Sequence, residues 1–147
     1  MTANVVEPTA KMAALAPLAG RWRTSGRVVA TGEAFRATDI YEWFPGGYFL
    51  LHHVDADMAG EPVRTLEIFG YDAEQGAITA TAYDNAGGIT RSRIAVAVRS
   101  ISIDGETERF RGNLSADGQT IDGLWEQRQG DLWQPWLETR LVQETAA

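Results

Sequence analysis

The only two histidines of the chain, His52 and His53, are adjacent, and the available chemistry depends on which of them faces inward. Side chains alternate across a strand, so at most one of the pair can enter a shared interior. Asp55 shares the parity of His53, whereas Leu50 and Val54 share that of His52. The apolar parity turns Tyr48, Leu50, His52 and Val54 inward. An imidazole in that position could hydrogen-bond a ligand, exchange a proton near neutral pH or ligate iron through a ring nitrogen. It could equally serve the fold alone, satisfied by a neighbouring strand. On the preceding segment Arg36 and Glu42 mark an outer face, which turns Phe35, Asp39, Tyr41 and Trp43 inward. A buried Asp39 needs a partner, and an Asp39–His52 pair would have the makings of a carboxylate-oriented general base.

Further along, Tyr83 is also read as inward, and the parity argument applies again on later strands. There it turns Ser92, Ile94 and Val96, Phe110 and Leu114, and Ile121 and Trp125 inward. Asp39, Tyr41, Trp43, Tyr48, His52, Tyr83 and Trp125 are therefore the candidate ligand-binding residues. No residue is assigned a catalytic role; were the protein an enzyme, His52 and Asp39 would carry it. Nucleophile-elbow, Walker, dinucleotide-glycine and HExxH patterns are missing. Gly46-Gly47 and Gly87-Gly88 read as hairpin glycines, without the strand-to-helix context and lysine of a phosphate cradle. The chain has no cysteine, so a closed zinc site would have to draw on scattered carboxylates, and neither a metal nor a cofactor is expected.

The elements that position these residues are strands. Ile40 to Asp55 places aromatic, β-favouring runs on either side of Pro45-Gly46-Gly47, the pattern of a hairpin. Residues 1–8 read as a loose leader and residues 9–18 as a short helix, started at Pro8-Thr9 and stopped by Pro17 and Gly20. Strands are expected near Arg21 to Ala30, Phe35 to Phe44, Tyr48 to Asp55, Val63 to Tyr71 and Ile78 to Tyr83. Five more are expected near Ile89 to Val98, Ser100 to Ile103, Glu108 to Ser115, Thr120 to Gln127 and Trp133 to Val142. Short Gly-, Asp- and Asn-rich connections make neighbours antiparallel. About ten such strands in one meander must split or close, and closure removes the exposed edges. The expected fold is all-β, an antiparallel up-and-down barrel wide enough to hold a cavity. Val63 to Tyr71 and Trp133 to Val142 resist a facing assignment.

At 147 residues one domain is the default. A net charge of −7 argues against nucleic acid as a partner. No stretch approaches the roughly 20 apolar residues of a membrane span, and the absence of cysteine fits a reducing cytoplasm. A large exposed aromatic patch around Trp133, Pro135 and Trp136 would favour an interaction-only module or a homodimer.

Leu18-Ala19-Gly20-Arg21-Trp22, a short helix leading into Gly-x-Trp on the first strand, resembles the start of the calycin superfamily of lipocalins and fatty-acid-binding proteins. The run TyrGluTrpPheProGlyGlyTyrPheLeuLeuHisHisValAsp, the later PheGlyTyrAsp and the LeuTrpGlu near the C-terminus are similar to a bacterial lipocalin-like family of unknown function, over about residues 15 to 142. This resemblance implies that Trp22 closes one barrel end with Arg140 across it. It also implies an interior that binds a small hydrophobic or amphipathic ligand. The alternatives are a lipocalin-like enzyme doing acid/base chemistry (isomerase, cyclase or decarboxylase) on such a ligand and, by likeness to nitrobindin-like barrels, haem or nitric-oxide binding. For haem, no histidine follows His53 to supply a C-terminal ligand.

Overall fold

The computed structural model describes residues 7–144; most of the expected leader lies outside them. Ten strands follow one another: β1 (Gly20–Val28), β2 (Ala34–Trp43), β3 (Phe49–Met58), β4 (Glu61–Asp72) and β5 (Ala77–Asp84). The second half holds β6 (Ile89–Val96), β7 (Ser100–Gly105), β8 (Glu108–Leu114), β9 (Thr120–Gln129) and β10 (Leu132–Gln143). Each pairs antiparallel with its sequence neighbour. β1 pairs with β10 from Trp22↔Gln143 to Val28↔Leu137, which closes the barrel. The all-β, up-and-down barrel expected from turn spacing is the observed architecture.

The expected helix is shorter than its pattern implied. Only Ala13–Leu18 is helical, and it is a 3-10 turn without a side-chain cap and with Pro17 inside it. A proline cannot donate the next ladder bond, so the segment stays tight and brief. Its inner face still plugs one end of the barrel, where Met12, Leu15 and Leu18 are buried with Trp22, Leu50 and Phe69. The Trp22 indole N–H donates to the Leu18 carbonyl at 2.8 Å. Arg140 does not lie across Trp22. It stands opposite Ser25, further along the ladder, whereas Gln143 is the residue that faces Trp22. Its guanidinium forms an exposed ion pair with Asp122 at 2.6 Å. Arginine on an outward position has a nearby carboxylate and water; crossing the barrel end would give up both.

The two strands whose facing was unassigned are explained by one bulge and one buried charge. In β10 the register to β9 shifts between Pro135 and Leu137. The extra residue, Trp136, and the following Leu137 both line the interior, as a bulge that re-aims side chains allows. Before the bulge Trp133 faces outward, under the Arg109 guanidinium at 4.5 Å. The aromatic cluster considered for a dimer is thus divided between the outer and inner surfaces. In β4 the inward parity carries Val63, Glu67 and Phe69, so a charge sits where a hydrophobe was expected. No helix among the described residues is long and apolar enough to cross a membrane.

Candidate functional site

The register across three strands builds the polar centre. The β3–β4 hairpin turns on two residues, Ala59 (φ 54) and Gly60 (φ 90), both left-handed, as a tight primed turn requires. Counting back from Met58↔Glu61, this turn sets His52 opposite Glu67. The β2–β3 ladder sets Tyr41 opposite His52. Tyr41, His52 and Glu67 thus form a row across the wall, with Asp39 diagonal to the imidazole.

His52 is clamped from both sides. Its Nε2 lies 2.7 Å from Asp39 Oδ1 and its Nδ1 lies 2.9 Å from Glu67 Oε1. The other Asp39 oxygen accepts from the Thr24 hydroxyl at 2.5 Å. The Tyr41 ring stacks on the imidazole with centroids 3.9 Å apart and planes 8° apart. Carboxylates only accept, so satisfying both contacts requires a proton on each ring nitrogen. Burial works against that charge, but the hydrogen bonds and the charges of Asp39 and Glu67 outweigh it and push the His52 pKa from 6.5 up to about 9. Burial first, and then the Asp39 and Glu67 charges, hold the Tyr41 phenol well above its ordinary range, so it remains a neutral donor. A doubly donating imidazolium has no free lone pair to take a proton or to ligate iron.

A cavity of about 290 Å³ opens beside this cluster. Its polar lining side chains, Thr24, Asp39, Tyr41, His52, Glu67 and Thr139, all come from β10, β1, β2, β3 and β4, which are contiguous around the barrel. The opposite strands β6 to β9 contribute only aliphatic and aromatic groups: Ile94, Ile101, Ile103, Phe110, Ile121 and Trp125. Room is made by glycine. Gly112 and Gly123 stand opposite each other on β8 and β9, and the Phe110 ring lies against both. A Cβ at Gly123 would collide with that ring.

Of the residues proposed from sequence, Asp39, Tyr41, His52 and Trp125 line this cavity. Trp43 packs half-buried against the core. Tyr48 and Tyr83 do not face inward: they are 63% and 45% exposed. Tyr48 sits in the turn before β3, where strand alternation does not apply. On β5 the inward parity belongs to Ile78 and Ala80, which leaves Tyr83 on the outward parity opposite Leu66. His53 faces outward beside Glu42 at 3.1 Å. Glu67, Thr24 and Thr139 escaped the parity argument. A two-residue hairpin placed at Ala59-Gly60 would have revealed Glu67 as the cross-strand partner of His52.

No curated protein matches the chain. Among solved structures it is similar to Rv2717c from M. tuberculosis, with a TM-score of 0.65 and 16% identity over 95% of this chain and 100% of the other. It is also similar to a de novo designed fluorescence-activating β-barrel, with a TM-score of 0.50 and 10% identity over 89% of this chain and 97% of the other. At such identities the likeness is one of fold. The family is shown by sequence: residues 7–117, from ahead of the 3-10 turn to the β8–β9 connection, match the model described as protein of unknown function (DUF1579), and the chain belongs to that family.

Proposed function

We propose that this protein is a cytoplasmic, lipocalin-like barrel that binds a small, largely apolar molecule between its polar and apolar interior walls. One observation carries this reading: an interior cavity of about 290 Å³ with its carboxylates, imidazole and hydroxyls gathered on one side. Ligand pockets are typically apolar spaces of about 300–1,000 Å³ with a few convergent polar groups, and this one lies just below that range. The inward glycines support the same reading, since a Cβ at Gly112 or Gly123 would collide with the Phe110 ring that lines the cavity. The clamped His52 suits binding better than acid/base turnover, because both ring nitrogens are engaged with carboxylates.

Trp125 and Trp136 line the cavity, so binding is readable from intrinsic fluorescence. A panel of compact neutral aromatics, including phenylbutanol and naphthol, should change tryptophan emission saturably and form one-to-one complexes by native mass spectrometry. Absence of both signals across the panel would reject the reading.

A further inference from the structure

The cavity has a sign. Among the described residues, its lining contains two carboxylates, Asp39 and Glu67, one imidazole, His52, and no lysine or arginine. With His52 charged, two negative groups face one positive group and leave one negative charge in excess. Both imidazole contacts need a proton on the ring, so the doubly protonated state is the one the geometry holds, and the wall stays negative. The balancing contacts are also incomplete. Glu67 gives one oxygen to His52. Among the described residues, neither its second oxygen nor the Tyr41 hydroxyl has a protein hydrogen-bond partner, yet neither is a fully buried orphan. Both residues line the cavity. An acceptor and a hydroxyl beside an excess negative charge call for a donor, and a carboxylate ligand would meet repulsion without an arginine to receive it.

We propose that the ligand is an amphipathic amine, its ammonium group held at Glu67 and Tyr41 and its apolar body packed against Phe110 and Trp125. The proposal rests on the interior-binding reading and sharpens it, since it excludes fatty acids and other carboxylates as preferred ligands. Apolar burial supplies attraction to any member of a matched series, while the head group decides among them.

The test is a matched set sharing one skeleton: phenylbutylamine, phenylbutanol and phenylbutyrate, titrated calorimetrically near neutral pH against the full-length protein. The amine should bind about tenfold or more tighter than the acid, with the alcohol between them, as expected for a charge contact in a partly desolvated site. Glu67→Gln, with its fold checked by circular dichroism, should bring the amine to within about twofold of the alcohol. If that variant fails to fold, the wild-type ranking alone decides. Acid binding as tight as the amine would overturn the proposal while leaving interior binding intact. Failure of all three to bind would remove the interior-binding reading and this proposal with it.

Discussion

The two halves of the barrel wall solve the same problem differently. The half from β10 through β4 buries charge and must satisfy it atom by atom: Thr24, Asp39, His52 and Glu67 form one chain of hydrogen bonds. The half from β6 through β9 buries only carbon-rich groups and is governed by volume, with Phe110 resting on two glycines. Errors in the first half leave an uncompensated charge, whereas errors in the second leave a void or a clash. The polar half is therefore more sensitive to chemistry and the apolar half to size.

The largest expected effect comes from breaking the polar half. His52→Leu keeps bulk but strands two carboxylates, and urea denaturation should show a loss of about 3–5 kcal/mol. Replacing Asp39, His52 and Glu67 together by leucine should cost less than His52→Leu alone, because no charge is left unpaired. A triple variant less stable than the single one would contradict the charge-clamp description.

Next in size is the pH dependence. The His52 pKa is raised from 6.5 to about 9 by folding. Its stabilising contribution is thus complete below about 6.5 and is lost as pH rises through about 9, amounting to roughly 3 kcal/mol at most. Chemical denaturation across that window should show stability falling with pH in the wild type. The slope should be flatter in the triple leucine variant. A wild-type profile that is level over the window would show that His52 is not held as an imidazolium.

The apolar half should respond to size. Gly123→Ala brings a methyl against the Phe110 ring and within 2.9 Å of the Arg111 carbonyl. A cost of about 1–3 kcal/mol is expected, together with weakened ligand binding as the ring moves into the lumen. An unchanged melting temperature would mean that the wall yields freely there.

The smallest effect is expected one residue from the largest. The His53 side chain is 48% exposed, against 11% for His52, and its contact with Glu42 is a surface pair. His53→Ala should change stability by less than about 1 kcal/mol. Equal losses from His52→Leu and His53→Ala would dissolve the distinction between inner and outer faces.

How much of this was legible in the sequence follows the same division. Alternation and turn spacing yielded the ten strands and the inward placement of Asp39, Tyr41, His52 and Trp125, since strand parity is local information. Glu67 was hidden because a charged residue on an inward position looks like an outer-face marker until its partner is known, and that partner is set by hairpin register. Trp136 was hidden by a bulge that alternation cannot anticipate. Tyr48 falls outside the expected interior because strand parity does not extend past the start of β3, and Tyr83 because an aromatic side chain alone does not fix a face. One lies in a turn, and the other alternates with Ala80 and Ala82 on the inward parity. The exposed ion pairs, such as Arg27 with Glu138 and Arg111 with Asp104, add little stability individually. They mark the outer face, which is why arginine parity was a sound guide.

The most direct test of interior binding between the two walls is a crystal structure of the protein with phenylbutylamine. Density is expected inside the barrel, with the phenyl ring against Phe110 and Trp125 and the nitrogen within hydrogen-bonding distance of Glu67. Saturated crystals whose cavity stays empty with phenylbutylamine, phenylbutanol and phenylbutyrate alike, or that hold them only on the outer surface, would contradict it.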